Sequence, residues 1–237
     1  YRKISYGPMM DVFFIDLRSY RGPNGESKET VLDDKSRIIG AEQLRWLKRE
    51  LANSRATWKV LASDMPLGII VWDNGKEKKG AEAIANGDHG PATGRELEIA
   101  DLLRFIKTSG IKNTVWLTAD VHYTAAHYYN PDKAKFQDFE PFWEFVSGPI
   151  HAGTFGPNDM DMTFGPEVKF VGAPTKEQGQ NLPPSAGLQF FGLVDRATDR
   201  PADEPRRQGT LEDHARSGSR GLGPASTEGA PLGGPSE

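Results

Sequence analysis

The 237-residue chain contains no cysteine. Disulfides, thiolate metal sites and a cysteine nucleophile are therefore excluded, while the compartment stays open. It also lacks a basic excess. Lys and Arg number 29 against 33 Asp and Glu, a formal net charge of −4, so nucleic acid is not expected as a partner. No apolar run approaches the roughly 18 residues of a transmembrane segment. No basic-then-apolar leader follows Tyr1, a start expected of a fragment or a processed chain. What the chain does have is length enough for a sizeable core.

The central stretch is Thr114 to Tyr123. A short apolar run, Val115-Trp116-Leu117, reads as a buried strand and ends in Asp120 and His122. On an extended backbone, side chains two apart point the same way, so the two groups are expected to converge past the strand's end. In open α/β sheets that edge holds ligands. A carboxylate oxygen beside an imidazole nitrogen suits half of a metal site. Taken alone, the D-x-H pattern more often marks a capping Asp and a solvated His.

Asp11 to Asp16 reads as an earlier strand, followed by Arg18 and Arg21. Arginine pairs bidentately with phosphate, so both are candidates for an oxyanion, against a surface ion pair as the alternative. Leu44, Leu47 and Leu51 predict a helix over 40–53. Thr57 to Asp64 then reads as the next strand, completing a βαβ unit. A second helix is predicted over 94–109 from Leu97, Ala100, Leu103 and Ile106, with Gly110 as its stop. The parallel strands should bring Asp16, Asp64 and Asp120 to one edge.

The polar span 71–94 reads as a long functional or mobile loop, with Asp88 and His89 as loop residues. His127 reads as a packing or hydrogen-bonding residue. A strand over 142–147 leads to His151 in a Gly-flanked turn, a metal or acid/base candidate against a structural histidine. Further strands are expected over 167–172 and 188–195. From Arg196 to Glu237 the large apolar side chains are Leu211, Leu222 and Leu232, and this low-complexity segment is expected to be disordered. The folded domain is thus placed at 1–195 and the tail at 196–237.

The segments DVFFIDLRSYRGPNG, GAEQLRWLKRELANSRATWKVLASDMPLG, ANGDHGPATGRELEIADLLRFI, VWLTADVHYTAAHYYNP, FEPFWEFVSGPIHAGTFGPN and NLPPSAGLQFFG, over about residues 6–194, resemble the C-terminal half of a PhoD-like alkaline phosphatase. The resemblance implies an α/β metallophosphoesterase-like layered sandwich of sheets flanked by helices, incomplete because the N-terminal half is absent. It implies hydrolysis of phosphomonoesters and phosphodiesters by metal-activated water, with calcium and iron bound, in an extracytoplasmic enzyme. Asp120 and His122 match the G-D-x-H metal ligands of that family, with Ala119 where many members have Gly. The remaining ligands, including Asp, Tyr, Asn and often Cys, belong to the N-terminal half. The chain alone is therefore expected to be nearly inactive. The alternative is a non-catalytic remnant, or a partner domain binding metal or phosphate.

Overall fold

A computed structural model of the chain describes residues 1–194. The expected tail and the last residue of the expected domain lie outside the described residues. Strands β1 (Arg2–Tyr6) and β2 (Met10–Phe14) precede helix α1 (Ala41–Asn53) and strand β3 (Trp58–Ala62). Then come β4 (Trp72–Asn74), β5 (Lys79–Ala81), helix α2 (Glu96–Thr108) and β6 (Thr114–Thr118). Strands β7 (Thr124–Tyr129), β8 (Phe142–Val146) and β9 (Pro166–Gly172) follow.

Seven strands form one mixed sheet in the order β1-β2-β3-β6-β8-β7-β9, and β4 pairs with β5 alone. Strands β2, β3, β6 and β8 run parallel, with Val12 opposite Val60, Val60 opposite Val115, and Val115 opposite Trp143. The layered α/β expectation holds. Each crossover through a helix returns the chain to the same end of the sheet, so the loops after β2, β3, β6 and β8 share one edge.

The two helices sit where their apolar stripes dictate. Leu44, Leu47 and Leu51 of α1 are buried in one cluster with Ile99, Leu102, Leu103 and Ile106 of α2 and with Phe13, Leu61 and Trp116 of the sheet. Burying each such side chain is worth about 1.5–3 kcal/mol. Neither helix has a conventional capping side chain of its own at its first residue. Glu98 of α2 instead fixes the chain leading into α1: its Oε2 receives the N–H groups of Ile38, Ile39 and Gly40 at 2.8, 2.6 and 3.0 Å. Glu96 reaches back to the Thr93 N–H at 3.2 Å, the reciprocal half of a capping box. On the other sheet face, alternation leaves Val115, Leu117, Trp143 and Phe145 only half-buried.

Two expectations change and one is met. The 71–94 span is not one loose loop: it holds the β4–β5 hairpin, and Ala83, Ile84 and Ala85 are fully buried. Polar composition concealed a segment whose carbonyls are captured by the buried Arg95. His127, expected to pack or hydrogen-bond, does both on β7, buried with its Nδ1 2.8 Å from Glu144 Oε2. Residues 188–194 form no strand: Phe190 donates its N–H to Pro149 O at 2.7 Å instead of joining a ladder, and Phe191 and Leu193 are exposed.

Candidate functional site

Asp16, Asp64 and Asp120 each follow a parallel strand, and the first two build the floor of the edge. Asp16 exchanges two hydrogen bonds with the buried Gln43, N–H to Oε1 and Nε2–H to O, both 2.8 Å. Its Oδ1 accepts the N–H groups of Arg18 and Ser19 at 2.8 Å. Those bonds, Ser19 foremost, hold its carboxyl below the usual range. Both oxygens of Asp64 accept the Leu17 N–H at 3.1 Å. Asp16 and Asp64 are consumed in fixing the 16–19 turn, which aims Arg18 along the edge.

The backbone leaves extended geometry at Asp120. Its φ is 65°, and Val121 N–H donates to Ala119 O at 2.8 Å, a tight γ-turn. Strand alternation therefore does not carry the relation between Asp120 and His122. A non-glycine residue held at positive φ is costly and persists where the surroundings enforce it, often at functional sites. Here the enforcing element is the 147–159 loop. Gly148 passes so close to Val121 O that a β-carbon would lie 2.6 Å from it. Gly156, at φ 108°, leaves the same kind of room for the Tyr123 ring. Burial pushes the Tyr123 hydroxyl up to about 12, and its oxygen accepts the Asn158 N–H.

His122 is clamped by that loop. Its Nδ1–H donates to Gly153 O, its ring stacks on Phe155 with centroids 4.4 Å apart, and Phe155 N–H donates back to His122 O. Since the carbonyl can only accept, the proton is on Nδ1 and the Nε2 lone pair is left for a ligand, the arrangement of a metal-binding histidine. Asp120 is the hard partner. Its side chain is 35% exposed, and Oδ1 receives Arg18 Nη2 at 3.2 Å. These two donors fit a cation. Among the described residues, no group of three or more His, Cys, Asp or Glu is placed to hold one. The exposed His151 therefore does not complete such a set with them. Asp88 and His89 are exposed turn residues, with Asp88 Oδ1 accepting the Gly90 N–H and His89 donating its N–H to Asp161.

The arginines separate. Arg18 is half-exposed and bridges Asp120 to Glu82, whereas Arg21 is nearly buried against Glu82 and Asn24. Burial would raise the Glu82 carboxyl, but the Arg18 hydrogen bond and the charges of Arg18 and Arg21 hold it below the usual range. Beneath them, Arg95 Nη1 reaches the carbonyls of Ala81, Glu82 and Ala83, and Nη2 those of Gly22 and Pro23 with Asn24 Oδ1, at 2.8–3.2 Å. Its desolvation, and the nearby Arg21 charge, pull the guanidinium down to about 10. Sequence reasoning missed Glu82, Arg95 and Glu144. Glu144 had a readable signal, as a carboxylate at an inward position of the apolar β8 pattern. It is fully buried, accepting from Leu67 N–H, Tyr129 OH and His127 Nδ1 at 2.8–2.9 Å.

Asp120, His122 and Arg18 thus lie along the carboxyl edge of the parallel strands of a layered α/β protein. The chain belongs to the PhoD-like phosphatase family, whose model matches residues 1–202. It is 27% identical over 181 residues to alkaline phosphatase D of Bacillus subtilis (strain 168), covering 72% of this chain and 30% of that protein. The chain thus spans about 30% of the length of this curated relative. A solved structure titled "Structure of PhoD" is 25% identical, with 62% of this chain and 28% of that chain covered and a TM-score of 0.44.

Proposed function

We propose that this chain supplies one wall of a metal-dependent phosphoester-hydrolysing site of the alkaline phosphatase D type, acting on phosphomonoesters and phosphodiesters. The carrying observation is the Asp120–His122 turn, with the imidazole's Nδ1 pinned to Gly153 and Arg18 beside the carboxylate. Asp120 and His122 Nε2 would hold metal, and calcium and iron are the ions the resemblance implies. Carboxylate oxygen suits calcium, and imidazole suits a transition metal. When bound, such ions polarise a phosphoryl oxygen and make water a better nucleophile at neutral pH. Arg18 offers its planar guanidinium to the phosphoryl oxygens, while Arg21 ties Asn24 to Glu82 beside it. We place the enzyme outside the cytoplasm on family resemblance; no helix of the described residues is long and apolar enough to cross a membrane.

Two protein ligands hold a metal weakly, and displacing catalytic groups by 1 Å costs on the order of a hundredfold. The chain by itself is accordingly nearly inactive, and a longer protein carrying further ligands is active. A chromogenic phosphomonoester with calcium and iron, assayed on both, is the test; chelator-sensitive turnover at full rate by the short chain would contradict it. The second reading is a non-catalytic partner that binds metal or phosphate, with the exposed Arg18 beside Asp120 as its anion-facing group. Inactivity of the longer protein would select it.

A further inference from the structure

Arg18 stands between two carboxylates. Nη1 contacts Glu82 Oε1, and Nη2 lies 3.2 Å from Asp120 Oδ1. The two ends are unequal. Glu82 is held from below, because Arg95 Nη1 and Arg21 Nη2 both bind its carbonyl while Arg21 Nη1 shares Oε1 at 3.1 Å. The Asp120 end is longer and faces solvent, with side chains 48% and 35% exposed for Arg18 and Asp120. Exposed pairs of this kind are weak and exchange readily.

We infer that Glu82 is a positioning residue for Arg18, and that Glu82 and Asp120 share one guanidinium, so that a cation arriving at Asp120 displaces Arg18 from one carboxylate but not from the site. This rests on the reading of Asp120 as a metal ligand. The released Nη2 then keeps its place at the edge and meets a phosphoryl oxygen. Once the cation has taken Asp120, an arginine that also lacked Glu82 would have no tether left and would swing out into solvent. Cation and phosphate binding are thereby coupled through one residue, and the coupling is reciprocal.

The test is calorimetric titration of calcium alone into the full chain and four variants. Arg18→Met should tighten calcium about two- to fivefold by removing the competitor, the range set by exposed ion pairs. Glu82→Gln should weaken calcium by a similar factor, because Arg18 then settles on Asp120. The double variant should match Arg18→Met. An effect of Glu82→Gln that persists without Arg18 marks a merely structural role and overturns the inference, as does an unchanged Arg18→Met. In a second titration, calcium should tighten inorganic phosphate binding to the parent chain and not to Arg18→Met. Asp120→Asn is the control that separates the two levels: if it leaves calcium binding untouched, the metal reading fails and this inference with it. Loss of binding there with the wrong pattern at Glu82 overturns the inference alone.

Discussion

Arg18 Nη2 lies 3.2 Å from Asp120 Oδ1, joining the loop after β2 to the loop after β6 across 102 residues of chain. Parallel pairing of β2, β3 and β6 makes that contact available, since it brings both strand ends to one edge. The fixed Asp16 turn then decides that Arg18, and not Arg21, reaches the carboxylate.

Replacing Asp120 with alanine in the longer, metal-loaded protein should lower metal content and kcat together. Losing a ligand costs at least as much as losing a partner that orients one, roughly 10–100-fold in affinity. Metal analysis alongside steady-state kinetics checks it. Normal metal content with normal turnover would remove Asp120 from the site.

Stability should respond to pH through Glu96. Burial first, and then the Asp161 charge, raise its carboxyl from the ordinary 4.5 to about 8. The folded state therefore keeps this proton where the unfolded chain has released it, and stability falls as pH climbs between those values. Glu96→Gln should raise Tm at pH 8–9 and lose that advantage near pH 5. Melting curves across that range would show a pH-independent offset if the reading is wrong.

Glu144→Ala should destabilise by about 3 kcal/mol or more, because three buried donors lose their acceptor at once. That corresponds to a Tm drop of roughly 10 °C for a domain of this size. Glu144→Gln keeps an acceptor for the Leu67 N–H and should cost less. Equal losses for the two would point to packing instead of hydrogen bonding.

Arg95→Met should loosen the 22–24 and 81–83 segments together, since one guanidinium staples both. Limited proteolysis is expected to cut both segments faster with α2 still helical by circular dichroism. Acceleration at only one segment would show that something else holds the other.

Much of the fold was legible beforehand because its signals are local. Leu44, Leu47 and Leu51 make a helical stripe, and Val115 to Leu117 make a strand core, whatever surrounds them. The same holds for the carboxylates that close β2, β3 and β6. His127 was harder, since a single histidine among Tyr and Ala carries no period of its own. Its place on β7 comes from pairing with β8, where Glu144 faces it.

The residues alone determined the family resemblance, the β2-α1-β3-α2-β6 succession and the candidates Asp120, His122 and Arg18. Only the tertiary structure decided that Asp120 sits in a positive-φ turn, that Gly153 O selects the His122 tautomer, and that Glu82, held from below by Arg95, anchors Arg18 and Arg21. The physical reason is range. Hydrophobic periodicity is written within a dozen neighbouring residues, whereas a hydrogen bond such as Arg95 to Pro23 depends on where distant backbone carbonyls finally come to rest.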